Sequence, residues 1–160
     1  MFIMQNCEEK IINFIKNNKI RAGHIKFDNS VHSVQDVLKF TNIKLDEISK
    51  SIVFKNDKEI IVGVVLARYR VSSTRIGKLL NIEPPTICDS AEAFEKTGYP
   101  VGGMPCFGYD AIFVLDDKLK EVNHIYTGGG SEFSLVKISI DELKRVNKFI
   151  VGNIRGNKSN

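Results

Sequence analysis

The sequence predicts an α+β fold: a mixed, largely antiparallel, curved and barrel-like sheet with helices packed outside it. Two observations carry that expectation. Stretches rich in β-branched and apolar residues outnumber amphipathic helical ones, and they come as neighbouring pairs joined by short polar turns, so pairing is local. At 160 residues one domain spanning 1–160 is expected, burying roughly 70% of the unfolded chain's surface.

Each element has its own signal. Residues 7–20 set Ile11, Ile12, Phe14, Ile15 and Ile20 among Lys, Glu and Asn, an amphipathic first helix. Residues 24–27 read as a short strand after Gly23. Ser33 is an N-cap for a helix burying Val34, Val37, Leu38 and Phe40. Residues 51–54 and 60–66 are apolar and β-branched around the polar 55–59, a hairpin. Residues 73–80 begin with Ser and Thr and read as a helix, as do 91–96. Residues 111–115 and 121–125 form a second expected hairpin around Asp116 and Asp117. A strand over 135–139 and a helix over 139–147, with Asp141 and Glu142 in its first turn, complete the order.

Charge is unevenly placed. The formal net charge is +4, yet five cations and no acid lie from Lys144 onward, leaving residues 1–143 with 18 cations against 19 acids. A basic tail over about 150–160 is expected. Within the near-neutral body, Arg68, Arg70, Arg75 and Lys78 share a stretch without acids, and 83–95 carries four acids and no base. Clustered cations favour a polyanion where they share a face. No apolar run approaches the ~20 residues of a membrane helix, and the start of the chain is no secretory signal. Cys7, Cys88 and Cys106 have no CxxC spacing, and with His24, His32 and His124 they make no zinc pattern, so reduced thiols in a cytoplasmic protein without metal or cofactor are expected.

Three features could carry chemistry. All four prolines fall between Pro84 and Pro105, and four glycines (Gly98, Gly102, Gly103, Gly108) fall in the run TGYPVGGMPCFG. That composition specifies a loop of fixed, unusual shape, serving either as a structural crossover or as a wall whose main chain a ligand approaches. Gly128, Gly129, Gly130 and Ser131 form a turn or an anion-binding concavity. Lys50, at the mouth of a strand in ISKSIVF, is placed to neutralise a phosphate or an oxyanion. Cys106 is either a buried small thiol or a nucleophile with His32 or His124 as base.

In this order, SKSIVFK, TGYPVGG…FG and the GGG turn resemble the YbaK/ProX family of aminoacyl-tRNA deacylases, which includes the editing domain of bacterial prolyl-tRNA synthetases. The resemblance spans about 32–147 and implies a YbaK-like fold and a free-standing hydrolase of mischarged aminoacyl-tRNA, with a terminal ribose hydroxyl helping to position water. It implies Lys50 as the essential lysine and Gly102, with Gly103 beside it, as the first glycine of a GxxxP loop. Met104 and Cys106 would shape the pocket, and Gly129 and Gly130 would flank it. One position departs: four residues after Gly102 stands Cys106, with Pro105 one place early. Alanine or cysteine on proline tRNA is the favoured substrate. The expected partners are the acceptor end of tRNA, with Arg68, Arg70, Arg75 and Lys78 and the tail on its backbone, and an aminoacyl-tRNA synthetase, but neither DNA nor membrane. A tRNA- or synthetase-binding module without catalysis and a Cys106-dependent thiol hydrolase are the alternatives.

Overall fold

A computed structural model describes residues 2–158. The chain opens with helix α1 (Phe2–Asn17), followed by β1 (Ala22–Lys26) and α2 (Val34–Phe40). Next come β2 (Ser49–Lys55), β3 (Ile60–Leu66), β4 (Tyr69–Val71) and α3 (Ser73–Leu80), then β5 (Thr86–Ile87) and α4 (Ser90–Thr97). After the glycine loop, β6 (Ile112–Asp116), β7 (His124–Gly128), β8 (Ser134–Ser139), α5 (Ile140–Val146), β9 (Phe149–Gly152) and β10 (Arg155–Lys158) complete it. The strands form a five-stranded sheet ordered β5-β2-β3-β6-β9, a three-stranded sheet β1-β8-β7 and the pair β10-β4. The result is a curved, barrel-like arrangement that does not close.

Local chemistry explains most boundaries. Ser33 Oγ accepts the Asp36 N–H at 3.1 Å and starts α2. Ser72, Asp89 and Ser139 cap α3, α4 and α5 in the same way, each satisfying an N–H that the first helical turn leaves open. The β2–β3 hairpin runs in register from Ser49↔Leu66 to Lys55↔Ile60. Its turn is an Asx type: Asn56 Oδ1 accepts the N–H groups of Lys58 and Glu59, both at 2.9 Å.

Two expectations are corrected by tertiary pairing. Residues 111–115 and 121–125 do not form a hairpin. β6 runs parallel between β3 and β9, a 3-10 turn at Asp117–Glu121 follows it, and β7 pairs with β8 in the other sheet. α2 buries Val37, but Leu38 and Phe40 are 44% and 41% exposed, because seven residues offer a narrow apolar stripe.

β3 explains the layering. Val62, Val64 and Leu66 pack into the main core with Phe113, Leu115, Ile125 and Val136. The alternate residues Ile61 and Val65 join Phe54, Ile76, Val114 and Ile154 on the opposite face. A strand covered on both faces reads as a continuous apolar run, here IIVGVVL. α1 seals the main core from outside through Ile11.

The segment expected as a basic tail is folded, through Lys158, into β9 and β10. Buried Asp116 holds it there, accepting the Ile154 N–H at 3.0 Å and the Arg155 guanidinium at 2.8 Å, while Arg155 also reaches Asp117 at 2.6 Å. Arg155 thus spends its charge internally.

Candidate active site

The two larger sheets meet where β2 starts. Ile48 bridges to Tyr126, and Ser49 Oγ donates to the Tyr126 carbonyl at 3.3 Å. Beside this junction opens a cavity of about 270 Å³. β2 supplies Lys50 and Ser51, β7 supplies Thr127 and Gly128, and the glycine loop supplies Gly102 and Met104. His32 and Val34 close the α2 side, over a floor of Val31, Val37, Ile48 and Leu135.

Lys50 is half-buried on β2, opposite Val65. Burial, and then the positive charge of Arg70, lower its pKa below that of an ordinary lysine, since both disfavour the ammonium form. Among the described residues, no other Lys, Arg, Asp or Glu lines the cavity wall. The wall thus offers the Lys50 cation, hydroxyls, the His32 ring, apolar side chains and main-chain groups.

The glycines form a seam behind the cavity. The Gly130 N–H donates to the Gly103 carbonyl at 2.8 Å. A Cβ at Gly103 would lie 2.8 Å from the Gly130 carbonyl carbon and from the Ser131 oxygen, and closer still to the Ser131 nitrogen. Gly130 has φ +96° and packs against the main chain of Cys7 and Glu8 in α1. Ser131 is tied down by buried side chains: its Oγ donates to Glu8 at 2.5 Å and shares a hydrogen bond with Ser134 at 2.8 Å. His24 Nε2 donates to the Gly129 carbonyl at 2.8 Å, and the Cys7 thiol donates to the Gly98 carbonyl at 3.4 Å. Both glycine segments therefore lean on one another and on α1.

The residues singled out in the sequence fall into distinct places. Lys50, Gly102 and Met104 line the cavity together. Gly103 and Gly130 stand behind it and set its shape. Gly128 faces the cavity although Gly129 and Gly130 carried the expectation; Gly128 is the last residue of β7, whereas Gly130, beyond the strand, packs against α1. Ser51 and Thr127 went unanticipated, and His32, expected only as a base for Cys106, lines the cavity instead.

Cys106 is fully buried, and that burial pushes its thiol up to about 12. His32 instead pairs with Ser30 at 2.7 Å and Asp36 at 3.3 Å, and His124 with Glu47 at 2.7 Å. A thiol hydrolase needs an accessible thiolate beside a base, and this geometry does not supply one. Among the cations, Arg70 sits next to Lys50, Arg68 is bound by Asp46 at 2.7 Å, and Arg75 and Lys78 are exposed on α3. No helix among the described residues is long and apolar enough to cross a membrane.

Residues 28–146 match the family model described as the aminoacyl-tRNA editing domain. Among curated proteins, proline–tRNA ligase of Desulfotalea psychrophila is 25% identical over 140 residues, 86% of this chain and 24% of the ligase. That of Thermosipho africanus is 23% identical over 122 residues, 75% of this chain and 22% of the ligase. The chain thus spans about a quarter or less of these relatives. Among solved structures, a hypothetical protein is 25% identical at TM-score 0.83, covering 92% of this chain and 99% of its own. A candidate trans-editing enzyme for prolyl tRNA synthetase superposes at TM-score 0.85 with 18% identity, over 94% of this chain and 98% of its own.

Proposed function

Because this chain belongs to the aminoacyl-tRNA editing domain family, we propose that it is a deacylase acting in trans, hydrolysing the ester between a wrong amino acid and the terminal ribose of a tRNA. The observation that carries this reading is a half-buried cation, Lys50, set in the rim of a small cavity built of apolar side chains, hydroxyls and glycine main chain.

The chemistry asks little of the protein. Water adds to the ester carbonyl carbon, negative charge gathers on its oxygen, and the ribose oxygen leaves with a proton, yielding free amino acid and tRNA. An aminoacyl ester is already activated, so positioning and charge stabilisation supply most of the rate. Lys50 holds the terminal phosphate or the developing oxyanion. The strength of such an interaction rises where water is thinned out, as it is beside a half-buried ammonium. Main chain at Gly102, Gly103 and Gly128 holds the amino-acid end, and Met104 with the apolar floor limits the side chain to a small one. That size fits alanine or cysteine on proline tRNA, the favoured substrates. Arg70, Arg75 and Lys78 face the tRNA backbone, with Arg68 joining them only by leaving Asp46. A synthetase that releases mischarged tRNA is the partner this activity would follow.

A panel of labelled aminoacyl-tRNAs tests the reading. Lys50→Ala should slow deacylation at least ~100-fold, the scale expected when a charge that stabilises a reacting centre is removed, with folding intact. Near-normal turnover in that variant refutes the assignment of Lys50. Salt-sensitive retention of tRNA by the wild type with no ester cleaved would instead make the protein a binding module.

A further inference from the structure

β9 is an outer strand of the five-stranded sheet, paired on one side only. Among the described residues, no hydrogen bond other than those of the β6 ladder reaches its main chain. The free edge therefore presents N–H and C=O groups on which another strand can form. Its two faces differ. On one, a cavity of about 630 Å³ runs along β9 over a floor of Val146, Phe149 and Val151. Lys120, Lys144, Arg145 and Lys148 ring that cavity, and among the described residues no carboxylate lines it. Glu142 engages Arg145, but Lys120, Lys144 and Lys148 are exposed and join no ion pair among the described residues. On the other face Ile150 is 43% exposed, and Leu79 of α3 lies against Gly152, two residues further along the strand.

Lysines on an edge strand commonly discourage pairing. Here they gather around one cavity, so they repel a cationic strand and attract an acidic one. A second copy's β9 would bring the same lysines together, which disfavours self-pairing. A strand added to β9 turns its side chains alternately to the two faces. One set meets the lysines, and the other meets Ile150 and Leu79.

We infer that β9 is the docking edge for an extended, acidic segment of another protein, in which acidic and apolar residues alternate. Main-chain pairing with β9 holds the segment. Its carboxylates meet Lys120, Lys144 and Lys148, and its apolar side chains cover Ile150 and Leu79. β3 and β6 stand between β9 and β2, so this edge lies about 14 Å across the sheet from the strand of Lys50. The docking edge is therefore separate from the candidate active site and does not rest on the deacylase reading.

The test titrates the full chain, by calorimetry at low salt, with two synthetic peptides of one composition. In one, aspartate alternates with valine; in the other, the aspartates form a block. The alternating peptide should bind at least ~10-fold more tightly, because it alone satisfies both faces of the edge. N-methylating its valines and N-methylating its aspartates remove donors from opposite edges of the extended peptide. One of these should abolish binding and the other leave it unchanged. Lys144→Glu combined with Lys148→Glu should weaken the peptide at least ~10-fold and remove most of its salt dependence. Both positions are exposed, so the fold should tolerate the change. In the wild type, bound peptide should slow amide exchange at 149–152. Equal affinity for the two peptides, or the same response to both methylations, overturns the docking edge. Tighter binding of an RNA oligonucleotide, lost in the same double variant, overturns it in favour of a nucleic-acid contact. Self-association of the free chain that protects those amides overturns it in favour of an interface between copies.

Discussion

Adding a single methyl group at Gly103 should damage the protein far more than adding one at its neighbour Gly102. At Gly103 the new carbon would press on the main chain of Gly130 and Ser131, approaching two of their atoms to 2.8 Å. That turn cannot retreat, because Glu8 and Ser134 hold Ser131 from behind. Overpacking that side chains can absorb costs about 1–3 kcal/mol; with main chain as the obstacle the upper end applies. Forcing the strands of the seam apart also breaks the Gly130-to-Gly103 hydrogen bond, worth about 1 kcal/mol. The sum, about 4 kcal/mol, should lower Tm by about 8–16 °C in a chain of this size. At Gly102 the nearest atoms are His32 Cβ at 3.2 Å, which must give by only a few tenths of an ångström, and Glu132 Cγ at 3.4 Å, which can turn aside. Gly102→Ala should cost under about 1 kcal/mol, and its effect should instead appear as a raised KM, since that methyl enters the cavity. Thermal melts of both variants, with deacylation kinetics on Gly102→Ala, read the two effects separately. A Gly103→Ala protein melting within about 2 °C of the wild type, or a Gly102→Ala protein melting below the Gly103→Ala protein, would refute the seam as the support of the cavity.

Other expectations are equally specific. Burial and Arg70 depress the pKa of Lys50, so its cation is lost at a lower pH than that of a free lysine. Removing the neighbouring charge in Arg70→Ala should move the alkaline decline of kcat to higher pH after correction for spontaneous hydrolysis, and no movement, or movement downward, contradicts the role of the Lys50 charge. Cys106→Ala should keep kcat within about 3-fold of wild type, because a deeply buried thiol with a raised pKa has no part in the bond change; collapse of kcat in a folded variant would restore the thiol mechanism. The Arg145 guanidinium, helped by the Arg21 N–H, lowers the Glu142 carboxyl to about 2. Its folded pKa lies below the unfolded value of about 4.3, so its contribution is full above the latter and fades as pH falls through the former. Glu142→Gln should therefore lower Tm at pH 7 and match the wild type near pH 2. An equal difference at both pH values would assign the effect to packing.

Much of this was legible in the sequence wherever the signal was local. Ser33 announced its helix because an N-cap is decided within four residues, and Asp141 and Glu142 marked the first turn of α5. The β2–β3 hairpin was legible because the polar 55–59 separates two apolar runs. β6 was misread for a physical reason: a parallel strand buried on both faces has no alternation, and its partners β3 and β9 lie far away in sequence. Asp116 did signal that the chain turns, but its carboxylate serves a 3-10 turn and the distant residues Ile154 and Arg155. Nothing within 150–160 betrays that partnership. At the site, Lys50 and Gly102 were legible from motif and position, whereas the separate tasks of Gly103, Gly128 and Gly130 depend on which main chains touch, a matter settled in three dimensions. Arg70 was visible as a cation; its place beside Lys50 depends on how β4 packs on β3 after the turn at Ala67 and Arg68.

α1 begins before the residues that match the family model, yet Cys7, Glu8 and Lys10 reach Gly98, Tyr99, Gly130 and Ser131. The helix and the glycine segments are consequently halves of one equilibrium. Whatever occupies the cavity stabilises the docked helix, and by reciprocity a docked helix tightens binding. Amide hydrogens of α1, distant from any substrate atom, should exchange more slowly once the cavity is filled.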